Sequence, residues 1–281
     1  MSNIPLSILV TAYNREKFIG QAIQSVLNST YTNFELIIVD DASTDDTVSV
    51  ARQFEFDSRV KVFVNNQNLG QFENRNFAAS LATGVYIKYL DSDDILYPFS
   101  LAIMMEAMLR YPDAALGICE KYRETSQPYP FVISPVDAIA IHYLKRELLM
   151  IGPSGTIMKR LTFCEVGGFE NYAMPSDNHL TLKLAAKFPT VMLQRDLFWW
   201  RQHHNQVTTK NINNFQNIFN NYLFNTDILL RYSPLSSRDN RRIIRNQKKI
   251  FFVNLYKIIF KKGKLQTGIS LYRQYLLKKK V

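Results

Sequence analysis

The amino-acid sequence predicts an α/β fold: a mostly parallel central sheet flanked by helices, followed by a basic helical extension at the C-terminus. Three observations carry this. Short apolar runs alternate with stretches of helical periodicity up to Arg110. A polar, turn-forming segment stands at the end of each run. From residue 211 onward the pattern is helical and basic. Strand–helix alternation of this kind builds parallel sheets with helices on both faces. Ligands of such sheets sit outside the carboxyl ends of the strands.

The elements follow in order. Leu6 to Val10 is an apolar run of the buried-strand type. Arg15 to Leu27 then sets Phe18, Ile19, Ala22, Ile23, Val26 and Leu27 at helical spacing. Leu36 to Val39 is a second buried strand. Ser43-Thr44-Asp45-Asp46 has the capping-box pattern, with Ser43 as N-cap of a helix running to about Phe54. Val60 to Val64 reads as a third strand, Asn65 to Gly70 as a turn and Gln71 to Ala82 as a third helix. Val85 to Leu90 is a fourth strand that runs into Asp91-Ser92-Asp93-Asp94. Pro98, at a first helical turn, opens a Met-rich helix to about Arg110. The middle is less regular, with short strands at Ala114–Ile118, Gly155–Met158 and Phe198–Arg201 and helices near Pro135–Leu149 and Asp177–Lys187. An Asn-rich patch between Asn205 and Asn225 marks a junction.

The net charge of +10 is unevenly spread. From Arg238 to Val281 there are fourteen Lys or Arg against one acid, Asp239, which leaves the rest of the chain near −3. The basic excess belongs to the tail, so it does not argue for nucleic acid as a partner. Cys119 and Cys164 are too few for a disulfide framework and read as small residues in a reducing compartment. Met1 to Pro5 lacks the basic flank and apolar stretch of a secretory signal. No apolar window reaches the ~18 residues of a membrane span. Cytoplasmic residence is the default expectation, with peripheral attachment to the inner face of a membrane left open to the tail.

The chemistry gathers at the strand ends. Three carboxylates in Asp91-Ser92-Asp93-Asp94 repel one another, and a cation relieves that. Hard oxygen ligands without His or Cys neighbours favour Mg2+ or Mn2+, which bind through one or two carboxylates plus substrate phosphates. Alone, the cluster also reads as a solvated turn capping the next helix. Thr11-Ala12-Tyr13-Asn14 and Asp40-Asp41-Ala42-Ser43 end the first two strands and share its crevice. An aromatic face and a carboxylate there suit a base and its ring N–H. Taken singly, Tyr13 also fits a partly buried core position, and Asp40 and Asp41 a turn.

Together these residues resemble the family-2 glycosyltransferases of the GT-A fold. The resemblance rests on Leu9 to Asn14, Ile37 to Asp45, Asn68-Leu69-Gly70, Arg75-Asn76, Ala82-Thr83-Gly84 and Tyr89 to Asp94, and covers about Ile4 to Thr209. It implies a nucleotide-sugar donor bound by Thr11, Tyr13, Asp41, Arg75, Asn76, Asp91 and Ser92. Tyr13 stacks on the base and Asp41 accepts from it, most often uracil, while Asp40 shapes the turn. It implies Mn2+ or Mg2+ on Asp91 and Asp93, with His203 of Arg201-Gln202-His203 completing the shell. Glu165-Val166-Gly167-Gly168-Phe169 resembles the stretch before the family's catalytic acid. Ser176-Asp177 stands where the family commonly has Glu-Asp, which leaves Asp177 as the base, or as a plain helix cap. The implied reaction is an inverting displacement onto a hydroxyl of a glycan or lipid-linked acceptor. The expected division is a catalytic domain over 1–210, with a donor half of about 1–97 and an acceptor half of about 98–210, and a helical basic extension over 211–281.

Three other readings compete. A haloacid-dehalogenase-type phosphatase needs a nucleophilic acid on the first strand, which here ends in Thr11-Ala12-Tyr13. A dinucleotide-binding domain needs Gly-X-Gly-X-X-Gly after that strand. A non-catalytic nucleotide-sugar or glycan binder with a decayed site remains the alternative from another class. Gly152 to Gly155 reads as a turn or as an acceptor-side loop. The tail's basic, apolar helices suit an anionic membrane surface or packing on the catalytic domain.

Overall fold

The structure, a computed structural model, describes residues 6–120, 127–170, 176–203 and 215–278. Its central sheet is read from one edge as β3 (Val60–Val64), β2 (Phe34–Asp40), β1 (Leu6–Ala12), β4 (Tyr86–Asp91), β8 (Thr156–Lys159), β6 (Leu116–Cys119), β9 (Thr190–Leu193) and β7 (Phe131–Ile133). The first four strands are parallel. In the second half β8 runs antiparallel between β4 and β6, and β9 returns parallel to β6. A separate two-stranded ribbon pairs β5 (Ile95–Leu96) with β10 (Phe198–Trp199).

Register places the site. Thr11 lies opposite Asp91 on one side and Val39 on the other, while Ala12 lies opposite Asp40 and Asp40 opposite Val64. Three strands therefore end level, and their loops open onto one edge. The alternation of side chains across a strand divides the core between two faces. Leu9, Ile37, Val39, Ile87 and Tyr89 pack on one side with helices α3 (Gln71–Leu81), α5 (Pro135–Leu144) and α7 (Ser176–Lys187). Ile8, Val10, Leu36 and Ile38 pack on the other with α1 (Ile19–Leu27) and α4 (Ser100–Arg110). Buried Glu35 ties the sheet to the turn before β4. Its Oε1 accepts from Ser7 Oγ and from the N–H and hydroxyl of Thr83.

Several local expectations shift. Helix α2 (Thr47–Arg52) starts four residues after Ser43, and Ser43 does not cap it. Ser43 instead donates its N–H and hydroxyl to Asp40, at 2.7 and 2.5 Å. The Asp45 carboxylate takes the Thr47 N–H, so the Asp40 turn competes successfully for the predicted cap. Pro98 precedes rather than enters α4, and its carbonyl accepts from Thr30 N. Strands β7 and β9 and the short helix α6 (Arg160–Glu165) are additions to the sequence reading.

The C-terminal helices are α8 (Gln216–Arg231), α9 (Ser237–Tyr256), a π-helical turn over Lys257–Lys261, and α10 (Leu265–Lys278). Phe224 and Ile228 of α8 enter the main core. Phe219, Phe251, Leu255, Ile258, Leu271 and Tyr275 form a smaller cluster of their own. Gly268 lets α10 approach closely, since a Cβ there would stand 2.2 Å from Ile259 Cγ1. The expected division at residue 210, and the first part of the Asn-rich patch up to residue 214, lie outside the described residues. No helix among the described residues is long and apolar enough to cross a membrane.

Candidate functional site

A cleft of about 820 Å³ opens at the carboxyl edge of β1, β2 and β4 and is lined by Thr11, Tyr13, Asp41, Arg75, Asp91, Ser92, Asp93 and Asp177, among others. Loop is knitted to loop at its rim. Asn14, at φ 53°, donates its N–H to Ser43 Oγ, and its side-chain oxygen accepts from Thr44 N. Arg15 N donates to Thr47 Oγ1. Tyr13 is left 45% exposed, with its ring available to a ligand.

Asp41 is buried. Its carboxylate accepts from Leu69 N at 2.8 Å, Gly70 N at 2.9 Å and Asn65 Nδ2 at 2.9 Å. Gly70 has φ 86°, which a glycine adopts without strain. A carboxylate offers about four acceptor positions, so Asp41 builds the Asn68–Gly70 turn and keeps roughly one position for a ligand N–H. Asn76, expected near the diphosphate, is elsewhere: its amide both donates to and accepts from the Phe169 backbone at 2.9 Å. It secures the Gly168–Phe169 turn and does not line the cleft.

The centre of the cleft is a fork. Arg75, on α3 and 3% exposed, donates Nη1 to Asp177 at 2.5 Å and Nη2 to Asp91 at 2.7 Å. Burial pushes the Asp177 pKa upward, Arg75 opposes that, and the net shift is up. Asp91 is held from behind by Ser154 Oγ, which accepts its N–H at 3.0 Å. Ser154 sits in a 3₁₀ turn, Pro153–Gly155, that lines the cleft. The turn is gripped by Lys88, a fully buried lysine of β4 whose Nζ donates to the Tyr89 and Ser154 carbonyls at 2.5 and 2.6 Å. Burial lowers the Lys88 pKa to about 8.

Asp93 faces another way. Its Oδ2 lies 2.9 Å from His203 Nε2 and 3.4 Å from Arg15 Nε. The His203 ring packs on Phe18 at 4.5 Å between centroids. Arg201 locks this arrangement, donating Nε to the Asp93 carbonyl at 2.8 Å and its N–H to Asp94 at 3.1 Å. Asp94 is buried, and burial followed by repulsion from Asp91 pushes its pKa up to about 7. Of the three expected metal ligands, Asp93 and His203 therefore meet, while Asp91 has one carboxylate oxygen on Arg75. Among the described residues no group of three His, Cys, Asp or Glu side chains gathers as a cation site. The Asp93–His203 pair still fits an ion that takes one or two protein ligands and completes its shell with water and phosphate.

The sequence reading did not single out Lys88 or Arg15 as site residues, and it offered Ser154 only within the Gly152–Gly155 loop. Lys88 had a legible trace, a lone cation within the apolar strand Tyr86-Ile87-Lys88-Tyr89-Leu90.

With this geometry in place, the comparisons are specific. The model of glycosyl transferase family 2 matches residues 7–164, more than half of the chain. The chain belongs to that family. It is similar to the glycosyltransferase GlyG of Streptococcus pneumoniae, 30% identical over 220 residues and 72% of each chain. It is also similar to the Escherichia coli UDP-Glc:alpha-D-GlcNAc-diphosphoundecaprenol beta-1,3-glucosyltransferase WfgD, 39% identical over 39% of this chain and 43% of that protein. Two uncharacterized glycosyltransferases of Haemophilus influenzae match at 40% identity over 35% and 38% of this chain, but over only 31% and 44% of their own lengths. Among solved structures, Staphylococcus aureus TarS in complex with UDP-GlcNAc superposes with a TM-score of 0.75 over 95% of this chain and 79% of that one, at 17% identity. The Pyrobaculum calidifontis mannosyltransferase PcManGT, in complex with GDP-Man and Mn2+, gives 0.63 over 97% and 75%, at 16% identity. These likenesses show a GT-A type fold.

Proposed function

We propose that the chain transfers a sugar, with inversion, from a UDP-sugar to a hydroxyl of a glycan or lipid-linked acceptor in surface polysaccharide assembly. Residues 1–210 carry this activity in the proposal, and 211–281 form the extension. The observation that carries the reading is the Arg75 fork, which holds a candidate base, Asp177, and an acidic-cluster carboxylate, Asp91, in one cleft. The UDP-Glc named in the activity of WfgD and the UDP-GlcNAc seen with TarS support the choice of UDP.

In this mechanism the uracil ring stacks on Tyr13 and its N–H meets the remaining acceptor position of Asp41. Arg15 and Arg75 lie in the cleft and offset the diphosphate charge. The Asp177 carboxylate takes the proton from the acceptor hydroxyl as that oxygen bonds to the anomeric carbon. The bond from that carbon to the donor phosphate oxygen breaks on the opposite face, and its electron pair leaves on the diphosphate. One displacement inverts the anomeric centre. A donor diphosphate competes for Arg75 and loosens its hold on Asp177, which frees the base once donor is bound. Asp93 and His203 would hold Mg2+ or Mn2+, which supplies Lewis-acid neutralisation of the leaving diphosphate.

The test is a screen of UDP-, GDP- and dTDP-sugars with manganese, read by nucleoside diphosphate release and thermal stabilisation, with wild type and Asp177→Asn. Wild type turns over a UDP-sugar. The variant loses about 10²–10⁴ in rate, the usual worth of a positioned base, while donor stabilisation persists. Unchanged turnover in Asp177→Asn refutes the base. Donor stabilisation without turnover in wild type, across a panel of acceptors, favours the decayed-site binder.

A further inference from the structure

The C-terminal helices present a surface that sugar transfer does not use. In α9 and its π turn, Val253, Tyr256 and Phe260 recur at helical spacing on the outer side, and in α10 Leu265, Ile269, Tyr272 and Leu276 do the same. These seven side chains are between 41% and 70% exposed. The neighbouring stripe of α10 is already satisfied, since Gly268, Leu271 and Tyr275 are buried against α9 and its π turn. So α10 carries two adjoining apolar stripes, and only one is covered. Exposed Lys257, Lys261, Lys264 and Arg273 stand among the outer apolar residues. No acid occurs in the sequence after Asp239.

We infer that this outer face of α9 and α10 is a docking surface for an anionic lipid bilayer. Apolar side chains enter the interface while the lysine and arginine head groups meet lipid phosphates. Charge decides between occupants. A second copy apposed through the same face would bring two acid-free, lysine-rich surfaces together, and like-charge contact opposes that. A bilayer with anionic headgroups complements both the charge and the apolar stripes. No helix among the described residues is long and apolar enough to cross a membrane, and the proposed attachment is peripheral and reversible by salt. The inference is independent of the proposed sugar transfer.

The experiment is co-sedimentation of the full chain with vesicles of phosphatidylcholine alone or mixed with phosphatidylglycerol, at about 0.05 M and about 0.5 M salt. Wild type binds the mixed vesicles at low salt and not the neutral ones. A triple variant, Lys257→Gln, Lys261→Gln and Lys264→Gln, weakens partitioning on the order of 100-fold, at about fivefold per lost cation. A second variant, Phe260→Ser with Ile269→Ser and Leu276→Ser, weakens it more than roughly tenfold and flattens the residual binding to a purely salt-controlled one. Hydrogen exchange of the unsubstituted chain shows protection over 253–277 on mixed vesicles, which keeps the test valid should a variant fold poorly. No binding at low salt overturns the inference, as does binding without protection over 253–277. Vesicle-independent, concentration-dependent self-association that the serine variant abolishes would also overturn it and make this face a contact between copies. Transfer to a soluble acceptor is read in parallel. It stays at the wild-type rate in both variants, so loss of docking and loss of catalysis are told apart.

Discussion

Replacing Arg75 by alanine tests the centre of the cleft most directly. The guanidinium is buried and holds Asp91 and Asp177, whose side chains are 32% and 20% exposed. Removing one partner of a buried ion pair costs about 3–5 kcal/mol, because a charge is left without compensation. Both carboxylates keep some contact with water, so the lower end applies, at about 3 kcal/mol. With an unfolding entropy of roughly 2.1 cal/mol/K per residue, a chain of this length loses about 5 °C in Tm. The deficit depends on pH in a definite direction. Burial already raises the Asp177 pKa, and loss of Arg75 raises it further. The folded variant then holds a proton that the unfolded chain releases. Stability from that group is fully present below the unfolded aspartate pKa and is lost as pH rises through the folded value. Thermal melts of wild type and Arg75→Ala should differ most near pH 7.5 and converge toward about pH 4.5. Equal Tm values at neutral pH, or a gap that widens on acidification, would refute the fork as described. Lysine at this position, a single point charge, cannot span both carboxylates and restores only part of the loss.

Two further predictions concern buried basic side chains. Burial lowers the His142 pKa to about 4, and its Nδ1 accepts from Leu149 N at 3.1 Å. A base whose folded pKa is depressed costs stability as pH falls from about 6.5 to about 4, by about 3 kcal/mol in total. Asparagine keeps an acceptor at the same place without titrating, so acid melts of His142→Asn should be flatter than wild type. Lys88→Met leaves buried carbonyls of Tyr89 and Ser154 without their donor, at about 2 kcal/mol. Because Ser154 accepts the Asp91 N–H, thermal stabilisation by UDP should also weaken in this variant, and unchanged stabilisation would separate Lys88 from the site.

Much of residues 6–91 is legible in the sequence because β1, β2 and β4 are almost wholly buried and read as largely apolar runs, interrupted by Ser7, Glu35 and Lys88. The runs at Leu6, Leu36, Val60 and Val85 all become parallel strands. The polar residues stranded at their ends, Thr11, Asp40, Asp41 and Asp91, fall into one edge by register alone. What escapes is set by contacts across long separations. Arg75 and Asp177 are 102 positions apart, and no local pattern announces their pairing. Asp93 and His203, 110 positions apart, are brought together in the sequence only by the family resemblance and by no local pattern. Ser43 shows a different limit. Its capping-box pattern is real, but Asp40 offers its N–H and hydroxyl a nearer acceptor, and tertiary geometry overrides the local signal. The short strands β7 and β9 are hidden for a third reason. Runs of three or four apolar residues carry too little periodicity to distinguish strand from helix.

The small β5–β10 ribbon constrains how enzymes of this shape can be recombined. It hydrogen-bonds Ile95–Leu96, just after the acidic cluster, to Phe198–Trp199, just before Arg201 and His203. Arg201 then reaches back to Asp93, Asp94 and Gln21, so residues 198–203 belong mechanically to the acidic-cluster edge of the sheet although they lie far along the chain. A chimaera joined at residue 97 to a relative's second half would import a foreign partner for Asp93. To keep the native partners of the acidic cluster, the graft should stop before Phe198 and return to the native chain through His203.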